Sequence, residues 1–374
     1  MKILYISHDS TLHGSERAFA ETLEALYLSG HELYTIFSAD GPIIEFCKPY
    51  LRDFEILSQI WWYDRGIRLD RKEKNQTLKK IVRCVKKTYK VIKQIDPDIV
   101  ISNTSVIPCG AIASKLARKK HIWYFHEAGK KDLNYNLIYG TRLSLWLANK
   151  LSSKVLFNSF FLESYYQKYI SPKKREVVYQ AVKLNCNDMT MLPPKQPGKL
   201  TLILMGRFAE GKGQMEAIHA VHRLIRQGEN IELLLVGAGQ DDYSDQVKNY
   251  IEKNYLFSVK AIDFVKDICD YYRLADVMLV CSRCEAFGRI TIEAMKMGLP
   301  VIVSHTGANP ELVKEGFNGF LYEYGNIEDL SQKILQLKDD HIRHQIAQQA
   351  QRWALDTFTL NNYAQRLNEI IIGK

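Results

Sequence analysis

Two glutamates eight residues apart, Glu285 and Glu293, flank a turn that contains Gly288. The turn follows the apolar run 277–280 and opens a helical pattern, and a helix N-terminus after such a turn offers backbone amides to phosphate. Carboxylates also bind vicinal hydroxyls, at about 1.5–3 kcal/mol for each hydrogen bond. This pattern indicates a site for a phosphorylated sugar or nucleotide. The alternative is one surface glutamate and one that complements the helix dipole.

A second turn, 206–213, carries two cations between an apolar run and a helical pattern. Arg207 offers a planar fork and Lys212 a point charge, the two groups that bind phosphate oxygens in proteins. The glycine spacing and the ending differ from those of a P-loop. A diphosphate site and an exposed turn with unpaired charges are equally consistent with this segment.

Gly237 and Gly239 follow another apolar run, but residue 242 is Asp, so the full dinucleotide-binding pattern is absent and a nicotinamide site is disfavoured. In the first half, Gly14 and Ser15 open a helical pattern after the first strand. Their amides could approach a ligand, and Ser15 could equally be an ordinary N-cap. His126 ends a strand pattern, which suits a catalytic rim, although a lone histidine is more often structural.

These segments sit in an alternation of short apolar runs and amphipathic stretches, which predicts parallel sheets covered by helices. The segment 191–198 holds three prolines and a glycine and is the best candidate for a linker. After it the alternation restarts, so we expect two doubly wound α/β domains. Strands are predicted at 3–7, 32–38, 99–103, 122–126, 155–158, 200–205, 231–236, 259–264, 277–281 and 299–303, and helices at 15–29, 78–95, 110–119, 136–151, 214–227, 245–254 and 290–297, with helix starts at 310–314 and a mostly helical 327–372.

The chain has 374 residues, 46% hydrophobic and 25% charged, which is ordinary for a globular protein of two domains. No run of 18 apolar residues occurs, and the apolar start is too short for a signal peptide, so we expect a cytoplasmic protein. Seven scattered cysteines argue against a disulfide framework. Cys281 and Cys284 have the spacing of a redox or metal pair, but buried residues at a strand end are the better interpretation.

Positive charge is concentrated in the first half of the chain. Residues 1–200 hold 32 Lys and Arg against 19 Asp and Glu, whereas residues 201–374 hold 19 against 23. A basic face attracts an anionic membrane at roughly 1 kcal/mol per residue, or an anionic acceptor, and the alternative is a solvated face. No nucleic-acid motif accompanies the charge, so nucleic acid is not expected as a partner.

Taken together, the motifs resemble those of the family-4 retaining glycosyltransferases over nearly the whole chain. The resemblance is most specific in 285–295, Glu-Ala-Phe-Gly through Glu-Ala-Met, and continues through 298–302, 307–311 and 316–320. It implies the GT-B fold, α/β with two Rossmann-like doubly wound domains facing a central cleft. The implied acceptor-side domain is 1–190, the linker 191–198, the donor-binding domain 199–355 and a returning C-terminal helix 356–374.

The resemblance also implies roles for individual residues. Arg207 and Lys212 would bind the donor diphosphate, Glu285 the sugar and Glu293 the ribose, while His126 would face the sugar. The residues with implied catalytic roles are His126, Arg207, Lys212 and Glu285. Those with implied donor-binding roles are Gly14, Ser15, Gly206, Gly237, Phe264, Val265, Ala286, Phe287, Gly288, Arg289 and Glu293. His13 and Arg289 depart from the residues that are common in the family, and we expect Arg289 to add a cationic contact.

The implied activity is metal-independent transfer of a sugar, with retention, from a UDP-hexose such as UDP-glucose to a saccharide or lipid-linked acceptor. Neither a cofactor nor a metal is expected, because the two cations replace a divalent ion. A GT-B epimerase and a non-catalytic protein that binds sugars or a membrane surface remain alternatives. A phosphorylase is disfavoured because the chain is short and shows no pyridoxal-binding region.

Overall fold

The computed structural model describes residues 1–64, 66–132, 134–184, 186, 198–265 and 268–373. The chain forms two compact units, the first Met1–Val182 with Phe358–Lys374 and the second Lys183–Thr357. Each unit is an α/β structure around one parallel sheet, as the alternating pattern predicts. The linker expected at 191–198 lies outside the described residues except for Gly198.

The first unit has a seven-stranded sheet in the order β3-β2-β1-β4-β5-β6-β7. Its central strands are buried over most of their length because helices cover both faces. The edge strand β3 is mostly exposed and the edge strand β7 is half-buried. Neither contains a continuous apolar run, so the sequence pattern misses both. The strands are β1 (Lys2–Ile6), β2 (Glu32–Phe37), β3 (Asp53–Ile56), β4 (Ile99–Asn103), β5 (Lys120–Phe125), β6 (Lys154–Phe157) and β7 (Arg175–Val177).

Seven helices accompany this sheet within the described residues. They are α1 (Gly14–Leu28), α2 (Ile43–Cys47), α3 (Arg71–Ile95), α4 (Cys109–Leu116), α5 (Thr141–Leu151), α6 (Phe160–Tyr166) and, from the end of the chain, α14 (Leu360–Ile372). No helix in the described parts of the chain combines the length and the hydropathy needed to cross a membrane.

Helix α3 begins at Arg71 rather than at the predicted Leu78. Its start is a capping box, in which Glu73 N donates to Asp70 Oδ1 at 2.7 Å and Asp70 N donates to Glu73 Oε2 at 2.8 Å. The first two turns are polar, so hydrophobic periodicity gives no signal there. The helix carries ten Lys and Arg and one Glu, while Ile81, Cys84, Val85, Thr88 and Ile92 form its buried stripe.

Helix α14 packs against α1 and completes the core of the first unit. Tyr363 OH and Thr22 Oγ1 are hydrogen-bonded at 2.7 Å, and Leu367 is fully enclosed. Thr359 is the N-cap of this helix, and its Oγ1 accepts a hydrogen bond from Asn362 N at 3.0 Å. The C-terminal segment is therefore part of the first unit.

The second unit has a six-stranded parallel sheet in the order β10-β9-β8-β11-β12-β13. The strands are β8 (Leu200–Met205), β9 (Ile231–Ala238), β10 (Val259–Asp263), β11 (Val277–Val280), β12 (Val301–Ser304) and β13 (Gly319–Tyr322). The helices are α7 (Gln214–Arg226), α8 (Asp242–Lys253), α9 (Cys269–Leu274), α10 (Arg289–Lys296), α11 (Asn309–Leu312), α12 (Ile327–Gln336) and α13 (Asp340–Thr357).

In both sheets the order in which strands are added reverses beside the first strand of the unit. Strand β1 lies between β2 and β4, and β8 lies between β9 and β11. Loops that leave the carboxyl ends of two such neighbours diverge, and ligands of open α/β sheets bind there. In the second unit, this position brings together the loops after β8 and β11, which carry most of the predicted site.

The sequence argues against a disulfide framework, and five of the seven cysteines are free, but Cys186 and Cys269 form one disulfide within the second unit. Their Cα atoms lie 5.6 Å apart although the residues are 83 apart in sequence, so only the folded chain brings them together. Cys281 and Cys284 are free and buried, as the sequence interpretation proposes.

We expect thiol titration of the denatured chain to count five thiols without reductant and seven after reduction, because five cysteines are free and two are paired. A Cys186→Ser variant should then show one extra thiol without reductant, from the unpaired Cys269. Seven thiols in the unreduced wild-type protein, prepared without reductant, would contradict the disulfide.

Candidate functional site

The loop after β8 crosses closely under the loop after β9. Gly206 N donates to Val236 O at 2.9 Å, and Phe208 N donates to Gly237 O at 3.3 Å. A Cβ on Gly237 would stand only 2.6 Å from Gly206 O, so the crossing requires glycine there. Arg207 points out of this crossing and is exposed. Its guanidinium makes no hydrogen bond or ion pair with any residue that the structure describes.

The same loop then touches the loop after β11. Gly213 has φ +74°, and a Cβ there would overlap with the carbonyl of Cys281. Arg283 N donates to Gly211 O at 2.8 Å, which joins the two loops through their backbones. Lys212 lies between these contacts and is therefore held near the end of β11.

Lys212 and Glu285 form an ion pair, with Nζ 2.6 Å from Oε1. The Ser282 hydroxyl donates to the same Oε1, also at 2.6 Å. The Glu285 side chain is 13% exposed and that of Lys212 is 41% exposed. Behind the acid, Gly307 packs so closely on the Glu285 backbone that a Cβ would overlap with it. Two predicted site residues that are 73 positions apart in the sequence are therefore in direct contact.

Helix α10 begins directly after Gly288, which has φ +94°. A Cβ there would lie 2.9 Å from Leu312 Cδ1, so this left-handed turn is closely packed. Arg289 is the first residue of the helix, and Glu293 lies inside it at 7% exposure. Tyr272 OH donates to Glu293 Oε2 at 3.2 Å. The predicted acid in the helix is therefore a buried, oriented group.

The remaining predicted donor residues lie around these loops. Ala286 and Phe287 lead from Glu285 into α10, and Phe287 is buried. Phe264 N donates to Ala238 O at 3.1 Å, while the Phe264 ring is 70% exposed and Val265 follows it at the carboxyl end of β10. Phe264 and Val265 thus lie at the same edge of the sheet as the other predicted residues.

In the first unit, His126 follows β5 and has protein partners on both ring nitrogens. Its Nε2 lies 2.7 Å from Asn103 Oδ1, and Gln180 Nε2 lies 2.8 Å from its Nδ1. Because an amide oxygen accepts and an amide nitrogen donates, this arrangement selects the tautomer with hydrogen on Nε2. The backbone N–H of His126 donates to the buried Glu127 carboxylate at 3.0 Å.

Gly14 and Ser15 are the first two residues of α1, and His13 is the N-cap. The interpretation of Ser15 as the N-cap is therefore wrong, because the helix starts one residue earlier than the polar pattern suggests. The Ser15 hydroxyl instead donates to Glu16 Oε1 at 3.1 Å. The backbone amides of Gly14 and Ser15 lie in the first turn of α1, where no side chain caps the helix.

Sequence reasoning missed a buried pair beside this helix. His8 Nε2 lies 3.2 Å from Glu16 Oε1, and both side chains are at least nine-tenths buried. Burial raises the pKa of Glu16, but the hydrogen bond and the charge of His8 outweigh it, and the net pKa is lowered. Sequence reasoning also missed Tyr272 and Ser282, since nothing in the spacing links them to the two glutamates.

The predicted absence of a metal motif remains an expectation. Among the described residues, no three His, Cys, Asp or Glu side chains are grouped as metal ligands. Cys281 is fully buried, and burial raises the pKa of its thiol, so it is not a reactive thiolate.

Two family models together account for most of the chain. The model for glycosyl transferases group 1 matches residues 193–353, and the model for glycosyltransferase family 4 matches residues 12–185. The chain belongs to the family-4 glycosyltransferases. The first match holds both glutamates and the cationic turn.

Several known proteins are similar to this family-4 glycosyltransferase. Spore coat protein SA of Bacillus subtilis is 28% identical over 183 residues, 46% of this chain and 48% of its own length. The chain thus spans about half the length of that relative. The UDP-Gal:alpha-D-GlcNAc-diphosphoundecaprenol alpha-1,3-galactosyltransferase of Escherichia coli is 22% identical over 391 residues, covering 100% of this chain and 97% of its own.

Among solved structures, Anabaena Alr3699/HepE in complex with UDP-glucose superposes with a TM-score of 0.80 at 22% identity, covering all of both chains. This likeness shows the fold. The family-4 glycosyltransferase described here accordingly has the GT-B fold, as the resemblance implies.

The close approach of Gly213 to Cys281 can be tested by a Gly213→Ala variant. A left-handed alanine costs about 1–2 kcal/mol, and overpacking against the carbonyl adds about 1–3 kcal/mol to the loss in free energy of unfolding. Gly228→Ala is the matched control, because Gly228 has φ +88° and open space around it. Equal losses for the two variants in urea unfolding would contradict the contact.

Proposed function

We propose that this chain transfers a sugar from a nucleoside diphosphate sugar to a saccharide or lipid-linked acceptor. The observation that carries this proposal is the ion pair of Lys212 with Glu285 at 2.6 Å. It places a cation suited to a diphosphate beside an acid suited to sugar hydroxyls. One sugar diphosphate could therefore contact both side chains at once, with its phosphate on Lys212 and its sugar hydroxyls on Glu285.

The diphosphate would be bound by three features of the second unit. Arg207 is exposed and makes no ion pair within the described residues, so its guanidinium can take a bidentate phosphate contact. Lys212 would exchange part of its contact with Glu285 for a phosphate oxygen. The amides at the start of α10, with Arg289 as its first residue, would add backbone donors and a further positive charge.

Breaking the anomeric C–O bond places positive charge on the sugar and negative charge on the leaving diphosphate. Cations and amides fixed at that diphosphate stabilise the transition state, which is usually the largest electrostatic contribution in catalysis. We propose that the acceptor attacks from the face that the diphosphate leaves, so that the anomeric configuration is retained. The two cations would supply the charge that a divalent metal supplies elsewhere.

We propose a UDP-hexose, with UDP-glucose as the first candidate, as the donor. Two similar proteins support this choice, the HepE complex with UDP-glucose and the Escherichia coli relative named for UDP-Gal. Glu293 would bind the ribose hydroxyls. Gly237, Phe264 and Val265 would lie near the base.

His126 is proposed to contact the donor sugar, and the amides of Gly14 and Ser15 the diphosphate. In the structure, Asn103 and Gln180 occupy both nitrogens of His126. A sugar hydroxyl that reaches Nδ1 would therefore have to replace the amide of Gln180, a residue that is only 2% exposed. The retained bond to Asn103 would keep the ring oriented.

The central test is an Arg207→Ala variant in an assay of sugar transfer or donor hydrolysis with UDP-glucose and other UDP-hexoses. We expect kcat/KM to fall about 100-fold, the usual effect of removing one preorganised group from a developing oxyanion. Arg226→Ala is the control, because Arg226 is exposed on the same unit and lies outside the site.

The same assay resolves the finer parts of the proposal. Activity that persists in EDTA supports metal independence, and NMR of the product reports whether the anomer is retained. Conversion of the donor into another UDP-sugar without acceptor would support an epimerase instead. Donor binding without turnover for any acceptor would support a non-catalytic binding protein.

We further propose that α3 faces an anionic membrane surface where a lipid-linked acceptor would be found. Nine of its ten basic residues are exposed. Leu78 and Val82, one turn apart, are also about half exposed among these charges. Basic charge with exposed apolar side chains suits the surface of an anionic bilayer.

We expect the protein to sediment with vesicles of phosphatidylglycerol and phosphatidylcholine, and salt to weaken the association. Lys79→Glu with Lys86→Glu should weaken it at least about thirtyfold, given about 1 kcal/mol per basic residue. Lys253→Glu with Lys314→Glu, on the second unit, changes the net charge equally and is the control. Equal weakening by both double variants would show that only net charge matters.

A further inference from the structure

Each of the two site glutamates is hydrogen-bonded by a buried hydroxyl group. Ser282 is 2% exposed and donates to Glu285 at 2.6 Å, and Tyr272 is 1% exposed and donates to Glu293 at 3.2 Å. Neither hydroxyl belongs to the predicted site. Hydrogen bonds to a charged acceptor are stronger than neutral ones and fix its direction.

We propose that Ser282 and Tyr272 are positioning residues, and that each serves one end of the donor. Ser282 orients Glu285 for the hydroxyls of the donor sugar, and Tyr272 orients Glu293 for those of the ribose. This inference rests on the proposed function, because the roles of the two glutamates come from it.

The Ser282 hydroxyl can remain in place while the donor binds. Glu285 Oε1 accepts from both Ser282 and Lys212, but Lys212 is a long, part-exposed side chain that the diphosphate would attract. The Ser282 carbonyl accepts from Ser304 Oγ at 2.6 Å and from Thr306 Oγ1 at 2.9 Å. These bonds fix the Ser282 backbone independently of its hydroxyl.

With Oε1 occupied, the second oxygen of Glu285 is the one offered to a ligand. Oε2 has no hydrogen-bond partner among the residues that the structure describes. A carboxylate anchored through one oxygen presents the other in a defined direction, which reduces the entropy lost when a sugar hydroxyl binds.

The Tyr272 hydroxyl is fixed through its helix. Helix α9 is joined at its first residue to Cys186 by the disulfide, and after its last residue the Asp276 carboxylate accepts from Thr201 N at 2.8 Å. The phenol therefore reaches Glu293 from a segment anchored at both ends. A buried carboxylate needs such donors, since each unmet hydrogen bond is costly.

A Tyr272→Phe variant removes only the hydroxyl. We expect its dissociation constant for UDP, measured by calorimetry, to rise about tenfold, and that for 2′,3′-dideoxy-UDP to change less than twofold, because that ligand has no ribose hydroxyls for Glu293. Tyr271→Phe is the matched control, a neighbouring tyrosine outside the site. If the wild-type protein prefers GDP or ADP, the corresponding pair of ligands replaces UDP.

A Ser282→Ala variant should show the opposite pattern. We expect its affinity for UDP to stay within twofold of wild type, while kcat/KM for the UDP-sugar that wild type uses falls about tenfold. Ser331→Ala is the control, because Ser331 is 2% exposed in the same unit and its hydroxyl donates to two backbone carbonyls, with no side-chain partner among the described residues. The two variants thus test opposite ends of one donor.

If Tyr272→Phe loses the same affinity for UDP as for dideoxy-UDP, its role is merely structural and the inference is overturned. The same holds if Ser282→Ala loses affinity for UDP by as much as it loses kcat/KM for transfer. Variants indistinguishable from wild type would also overturn it and leave the proposed function intact. If the wild-type protein binds no nucleoside diphosphate and transfers no sugar, the proposed function itself fails.

Discussion

The site of the second unit depends on the contact between the loop after β8 and the loop after β11. Gly213 fits against the Cys281 carbonyl only because it lacks a Cβ, and Arg283 N bonds to Gly211 O beside it. This backbone contact sets the position of Lys212. The ion pair with Glu285 follows from this contact, because the two loops must be held at a fixed distance for these side chains to meet.

That contact is in turn a consequence of sheet topology. Strands β8 and β11 are neighbours in space, although β9 and β10 come between them in the sequence. Because β8 and β11 are parallel neighbours, the loops that follow them start side by side at the carboxyl edge of the sheet. Glycines at φ +74° and +94° then allow the two helices that follow to start immediately.

Buried polar partners set the direction of each proposed binding group. Hydroxyl groups orient both glutamates, and two amides fix the tautomer of His126. Such groups reduce the reorganisation needed when a ligand arrives, which is the basis of electrostatic preorganisation. Arg207 differs from Lys212 and the two glutamates, because it is exposed and its guanidinium makes no hydrogen bond or ion pair with the residues that the structure describes.

The sequence by itself determined the fold class, the family motifs and most of the central strands, because buried parallel strands are continuous apolar runs that local patterns reveal. It could not give the polar edge strands β3 and β7 or the polar start of α3, which lack such a pattern. Only the tertiary structure decided that Cys186 meets Cys269, that Lys212 pairs with Glu285 and that hydroxyls of Tyr272 and Ser282 hold the two acids. These contacts depend on which strands become neighbours, and that choice is made by the packing of the whole sheet rather than by any local segment.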